Sequence, residues 1–178
     1  MRLSKGLVRS AIREPHSGIF VFEAFTSELC SDLLAKIKGH EPSAPNSMNK
    51  YGLVLDEIGL SRFRDDLVEQ CVDPLSKYLF PEVGRISRCY GFVVQYEAGP
   101  KHQRSLSYHY DESDVTLNVC LGEQFTGGGL VFQNKGEIEQ SAGQAVLHLG
   151  SRVHRAAPIF SGTRTNLVLW CRGRTRHR

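Results

Sequence analysis

HYDESDVTLNVCLGEQFTGGGLVF, residues 109–132, opens on a histidine and an aspartate two apart and runs into two β-type segments. VTLNVCL and GLVF are rich in β-branched, aliphatic and aromatic side chains, and the residues between them carry the glycines of a turn. His109 and Asp111 alone decide little. With seven histidines and seven aspartates in 178 residues, H-x-D arises readily by chance, so the surrounding sequence has to give the tripeptide its meaning.

Outward from this stretch the β character continues. RCYGFVVQY, SLSYHY, QAVLHL, RVHRAAPIF and TNLVLWC are further short runs separated by glycine-containing turns. Seven or eight strands in about 85 residues predict an antiparallel sandwich or barrel. Upstream, GIFVFEAF (18–25) reads as a strand. Thr26 or Ser27 then caps a helix, SELCSDLLAKIKGH, with Leu29, Leu33, Leu34 and Ile37 on one face and Gly39 near its end. EPSAPNSMNKYG (41–52) is a loop long enough to contact a substrate. A second helix runs through SRFRDDLVEQC, with Phe63, Leu67 and Cys71 on one side. Asp73-Pro74 reads as an N-cap followed by proline at the first position of a third helix, PLSKYLF.

No repeat, low-complexity stretch or linker divides the chain. The expectation is one domain, mainly β with N-terminal helices (α+β): helical support over about 18–82, a β core over about 86–172, and a basic tail at 173–178.

Hydrophobic content of 40% and charged content of 23% belong to an ordinary soluble globular protein. No run of 18 apolar residues suggests a membrane span. The start, MRLSKGLVRSAIREP, is basic but lacks an apolar h-region, so a secretory signal is not expected, while organelle targeting stays open. The five cysteines are widely spread with no C-x-x-C. That fits thiols in a reducing compartment, and the cytoplasm is the expected location. The net charge of +3 owes four arginines to the terminal RGRTRHR, so the rest is close to neutral. A solvated tail explains this more simply than a phosphate-binding one, and nucleic acid is not an expected partner.

Non-haem Fe(II) oxygenases hold iron with two imidazoles and one carboxylate on one face of an octahedron, leaving three positions open. Side chains at i and i+2 of a strand point the same way, so His109 and Asp111 can ligate one ion from a single strand end. A third ligand must come from His16, His40, His102, His148, His154 or His177. His154 stands out because Arg164 follows ten residues later, at the start of TRTNLVLWC. Arginine is the residue type that clamps a carboxylate through two parallel hydrogen bonds. His148 lies in the apolar run AVLHLG and reads as a core histidine; His102, in GPKHQRS, reads as solvated.

H-x-D, the T-L-N-V strand, F-x-G-G-x-L-x-F, the L-H-x-G turn, the second histidine and the arginine ten residues on occur here in one order. Over about Tyr90–Arg172 the chain resembles the 2-oxoglutarate/Fe(II)-dependent dioxygenases of the prolyl and lysyl hydroxylase superfamily. The likeness extends to lysyl hydroxylase catalytic domains and related 2-oxoglutarate- and iron-dependent oxygenase domain proteins. The resemblance implies a double-stranded β-helix (jelly-roll) core, with Fe(II) on His109, Asp111 and His154 and the distal carboxylate of 2-oxoglutarate on Arg164. Tyr96, Asn118 and Asn166 match positions near the cosubstrate, although a barrel tyrosine and backbone-bonded amides account for them equally well. Gly127–Gly129 allow a tight turn and are no phosphate loop.

The resemblance further implies use of O2, ascorbate as a reductant, succinate and CO2 as co-products, and hydroxylation of a proline- or lysine-type side chain, free or in a peptide. Specificity is expected in loops at the barrel mouth, 41–52 and GPKHQRSL, where Lys101 and Arg104 could meet an anionic group. Two alternatives stay open: a jelly-roll protein that holds metal without turnover, and a cupin-type metalloenzyme that uses no 2-oxoacid. Oligomeric state is not legible.

Overall fold

Two strands with unlike faces set the architecture. In one, Val115, Leu117, Val119 and Leu121 alternate with Thr116, Asn118 and Cys120; in the other, Leu167, Leu169 and Cys171 alternate with Asn166, Val168 and Trp170. Such strands turn one side to an apolar layer and the other to a cavity. The computed structural model describes Leu7 and residues 10–40, 52–100, 102–122 and 124–174.

The N-terminal part contains β1 (Arg13–His16), β2 (Ile19–Glu23), α1 (Ser27–Ile37), β3 (Leu53–Val54) and α2 (Ser61–Leu67). A π-helical turn (Val68–Val72), α3 (Asp73–Leu79) and a 3-10 turn (Pro81–Val83) follow. The remainder is β: β4 (Arg85–Glu97), β5 (Leu106–His109), β6 (Val115–Gly122), β7 (Phe125–Gly127), β8 (Leu130–Phe132), β9 (Gly136–Ile138), β10 (Gln144–Leu149), β11 (His154–Ala156) and β12 (Ile159–Arg174).

The larger sheet has the order β1-β2-β10-β6-β12-β4-β3, with β7 on β12; the smaller has the order β5-β11-β8-β9. From β4 onward the chain alternates between the two sheets, passing β5 in the smaller, β6 in the larger, β8 and β9 in the smaller, β10 in the larger, β11 in the smaller and β12 in the larger. This winding is the double-stranded β-helix. The helices cover the outer face of the larger sheet, where Leu29, Leu33, Phe63 and Leu67 share a core with Leu117, Val119, Leu147, Leu167 and Leu169. A second cluster, Ile19, Val21, Leu130, Phe132, Ile138 and Val146, packs between the sheets. β6 is thus buried on both faces along its whole length, a fully covered central strand.

Local signals hold where they rest on backbone chemistry. Thr26 caps α1, its hydroxyl accepting from Leu29 N. Asp73 is a correction. Its backbone is helical (φ −63°, ψ −45°), it makes no capping bond, and its N–H donates to Val68 O across the π turn. The π turn widens the helix where Pro74 cannot donate, so α2 and α3 continue into each other with no fresh start. The Asp73 carboxylate instead accepts from Ile86 N, at 2.8 Å, and pairs with Lys77. RVHRAAPIF is also two strands rather than one, broken at Ala157-Pro158.

The proposed contact loop at 41–52 falls outside the described residues except for Gly52, as do Lys101 and residues 175–178. Among the described residues no helix is long and apolar enough to cross a membrane.

Candidate metal centre

His109 ends β5 and His154 begins β11, and the two are direct partners across the ladder, with ring centroids 4.5 Å apart. Asp111 lies beyond the end of β5, so strand alternation alone does not aim it. It is drawn back because its N–H donates to Gly150 O (2.9 Å) while Gly150 N donates to Asp114 O (3.1 Å). A Cβ on Gly150 would stand 2.1 Å from Ser113 O, so this close approach of two turns requires glycine. Asp111 Oδ1 lies 3.5 Å from His109 Nε2, and Oδ2 lies 3.9 Å from His154 Nε2. One donor atom from each of the three residues falls within 4.8 Å of the others.

The ring orientations suit a metal. Carbonyl oxygens only accept, so His109 Nδ1 donates to Ser107 O (2.8 Å) and His154 Nδ1 donates to Arg152 O (2.9 Å). Both Nε2 lone pairs then face Asp111, the arrangement that outer carbonyls impose on ligating imidazoles. Thr116 Oγ1 donates to Asp111 Oδ2 (2.7 Å) and is itself bonded to Ser113 Oγ (2.7 Å), which leaves Oδ1 facing His109 Nε2. Burial raises the Asp111 pKa, but the His109 bond, the charges of His154 and His148, and the Thr116 bond outweigh it, so the carboxyl titrates below its ordinary range.

Burial pulls His154 down, with Asp111 opposing. In His109 burial also works downward, but Asp111 and the Ser107 carbonyl prevail and raise it. A metal needs the lone pair that this proton occupies. Mn(II) affinity is therefore expected to rise with pH up to the raised His109 value and to level off above it. Titration calorimetry between about pH 5.5 and 8.5 checks this; a flat profile would remove His109 from the ligand set.

His148 is fully buried beside the triad, ring centroid 4.8 Å from that of His154. Its Nδ1 donates to Leu149 O (2.9 Å), and its Nε2, 3.9 Å from Asp111 Oδ2, has no partner among the described residues. Burial and His154 push it down to about 4, so it is a neutral wall of the site.

Away from the triad, Arg164 is 2% exposed and no carboxylate pairs with it among the described residues. Its Nε donates to Asn166 Oδ1 (2.9 Å) and one terminal nitrogen to Gln140 Oε1 (3.4 Å); the other, Nη1, has no partner among the described residues. Asn166 Nδ2 donates to Asn118 Oδ1 (2.5 Å) and to Gln140 Oε1 (3.2 Å), while Gln140 Nε2 donates to the carbonyls of Asn118 and Gln144. Neutral amides thus hold the guanidinium without neutralising it, leaving a buried cation with an open donor, which is costly unless an anion completes it. Gly127 and Gly128, both at φ near +75°, bring the turn after β7 over Arg164, where a Gly128 Cβ would reach 3.3 Å from Nη1. Tyr96 is Arg164's partner on the neighbouring strand, its ring 5.6 Å from the guanidinium carbon.

The triad lines a cavity of about 40 Å³ together with Tyr96 and Asn118, and Arg164 lies against that lining, its guanidinium beside the Tyr96 ring and joined to Asn118 through Asn166. Thr116, which holds Asp111, and Asn118, which holds the arginine cradle, sit two residues apart on one face of β6, about 7 Å. A five-carbon diacid bridges that distance. Towards the other end of the cavity Trp170, opposite Thr116, meets Phe92 edge to face at 5.0 Å, and Tyr90 lies against both.

The sequence reading missed Gln140, Thr116, Phe92 and Trp170. Alternation from Asn118 points to Thr116, and alternation from Arg164 and Asn166 points to Trp170, whereas nothing in EIEQSAG marks Gln140. Gln140→Glu would set a carboxylate against Arg164 and compete with an incoming acid. The expected result is at least a tenfold rise in the 2-oxoglutarate concentration needed for half-maximal binding. Unchanged binding, measured by calorimetry on Mn(II)-loaded protein, would separate Gln140 from the site.

Comparison with known proteins agrees with this geometry. An OGFOD2-like domain matches residues 2–85. The chain is 36% identical over 200 residues to the 2-oxoglutarate and iron-dependent oxygenase domain-containing protein ICU11 of Arabidopsis thaliana, covering 98% of this chain and 50% of that protein. It is 38% identical over 186 residues to the 2-oxoglutarate and iron-dependent oxygenase domain-containing protein 2 of Danio rerio, covering 94% and 53%. The chain therefore spans about half the length of the curated relatives it matches. Its fold is similar to that of the viral collagen prolyl hydroxylase vCPH from Paramecium Bursaria Chlorella virus-1, solved as a 2OG complex, with a TM-score of 0.61, 16% identity and coverage of 88% of this chain and 96% of that one.

Proposed function

The chain belongs to the 2-oxoglutarate- and iron-dependent oxygenases of the prolyl and lysyl hydroxylase superfamily, and on that premise we propose that it hydroxylates an unactivated C–H bond of an amino-acid side chain. The substrate is of proline or lysine type, free or within a peptide, and 2-oxoglutarate is converted to succinate and CO2. One conjunction carries the reading: a two-histidine, one-carboxylate cluster lines a cavity with Tyr96, and against Tyr96 lies a buried arginine whose Nη1 has no partner among the described residues.

The residues present fit both groups. His109, Asp111 and His154 offer two neutral imidazoles and a carboxylate, the donor set of an Fe(II) site that keeps one face open. Iron with 2-oxoglutarate and O2 supplies the oxidising power that side chains lack. Arg164 Nη1 and the Tyr96 hydroxyl are the groups that would receive a distal carboxylate. Asn118 and Asn166 keep the guanidinium in place, so binding needs little reorganisation. Leu106, Leu130, Ala156 and Val168 make the cavity walls apolar and exclude water. Phe92 and Trp170 offer flat apolar faces to a substrate side chain. A cytoplasmic location and ascorbate as reductant complete the proposal.

The test is succinate release with Fe(II), 2-oxoglutarate and ascorbate across a panel of free amino acids and peptides, with mass spectrometry of each product. Succinate coupled to one added oxygen atom on a panel member is the expected result. Metal binding without 2-oxoglutarate consumption on any member would instead favour a non-catalytic metal-holding protein.

A further inference from the structure

Cys89 on β4 and Cys171 on β12 are direct partners across the antiparallel ladder, and their sulfur atoms lie 2.6 Å apart. Cα atoms of such partners stand about 4.5–5.5 Å apart, inside the span of about 4.4–6.8 Å that a disulfide accepts. The sulfurs are about half an ångström beyond a bond of about 2.05 Å, so closure requires only small side-chain rotations. We propose that Cys89 and Cys171 form a thiol–disulfide couple, closed by exchange with a small soluble disulfide of the glutathione type.

Access differs between the two. Cys171 is fully buried, whereas Cys89 is half-buried and lines a charged surface cleft of about 350 Å³ with Glu69, Asp73, Arg85 and Arg88. That cleft admits a small peptide disulfide with charges of both signs. Cys89 as thiolate attacks one sulfur of the incoming disulfide, and the other sulfur leaves as a thiolate that takes up a proton. Cys171 then gives up its proton and attacks Cys89 Sγ in the mixed disulfide, expelling the second small thiol. Two protein thiols lose two electrons and two protons, and one small disulfide gains them.

The remaining cysteines lack this setting. Cys30, Cys71 and Cys120 are all buried, whereas Cys89 is half-buried. Closure ties together residues 82 apart in sequence. It does so beside Tyr90 and Trp170, pinning β4 to β12 at the aromatic end of the cavity. The couple depends on neither iron nor 2-oxoglutarate, and it stands apart from the oxygenase reading.

The test uses the whole folded chain, incubated with glutathione disulfide, blocked with an alkylating agent and digested without reduction. The expected product is a Cys89–Cys171 cross-linked peptide. It should come with loss of two of the five thiols and a rise in Tm on the order of 10 °C, both reversed by dithiothreitol. Cys171→Ser should stop at a glutathione adduct on Cys89, and Cys89→Ser should give neither adduct nor cross-link. Wild-type protein that keeps all five thiols, or that carries a persistent adduct on Cys89 without a cross-link, overturns the proposal.

Discussion

Asp111→Ala is expected to reduce succinate formation to background and to weaken Fe(II) or Mn(II) binding by well over a hundredfold. Loss of an outer partner of a metal ligand typically costs about 10–100-fold, and Asp111 is the sole carboxylate of the three-residue cluster. It is also 5% exposed and fixed by Thr116 and the Gly150 carbonyl, so its carboxylate is held toward the two imidazoles before a metal arrives. His154→Ala should behave alike, because its Nε2 lies on the opposite side of the same carboxylate. His148, although adjacent, sits outside the three-atom group. Equilibrium dialysis and a succinate assay on both variants, with circular dichroism to confirm folding, give the comparison. Near-normal turnover in either variant contradicts the metal assignment.

Arg164→Ala is expected to act on the cosubstrate instead. A charge-assisted contact of this kind is worth about 2–3 kcal/mol, so the 2-oxoglutarate requirement should rise by about 30–150-fold while metal binding stays close to normal. Truncation also strands Asn166 and Gln140 in a dry cradle. Arg164→Lys, which keeps the charge but not the planar fork, therefore serves as the second variant and should fall between wild type and alanine. Calorimetric titration of 2-oxoglutarate into Mn(II)-loaded variants measures the effect without turnover. Unchanged cosubstrate affinity in both variants would mean that some other group holds the acid.

What could be read in the sequence follows from which interactions are local. β6 and β12 announce themselves through apolar alternation, and α1 through Thr26 and the Leu29–Leu33 face, because each signal lies within one element. Arg164 was legible from its place ten residues after His154, at the start of the β-type run TRTNLVLWC. Strand β1, REPH, and the two-residue β3 were missed because edge strands carry little apolar patterning and exist only through pairing. The π turn at Val68–Val72 was invisible because Asp73-Pro74 carries a genuine helix-start signal, which the continuing helix overrides by widening one turn. Asp111 reached the site through contacts to Gly150 and Thr116, from β10's far end and β6, where strand periodicity makes no statement. Gln140 is the clearest limit, since its role comes only from four partners, Asn118, Gln144, Arg164 and Asn166, brought together by folding.

Two imidazoles and a carboxylate are expected to surround one divalent ion while a buried guanidinium receives the far end of a diacid. A crystal structure of the protein with Mn(II) and 2-oxoglutarate, with anomalous scattering to locate the metal, tests it most directly. The expected result is one manganese within coordination distance of His109 Nε2, Asp111 Oδ1 and His154 Nε2, and a carboxylate hydrogen-bonded to Arg164 Nη1. Manganese bound elsewhere, or an Arg164 Nη1 that stays without an anionic partner at saturating 2-oxoglutarate, would contradict it.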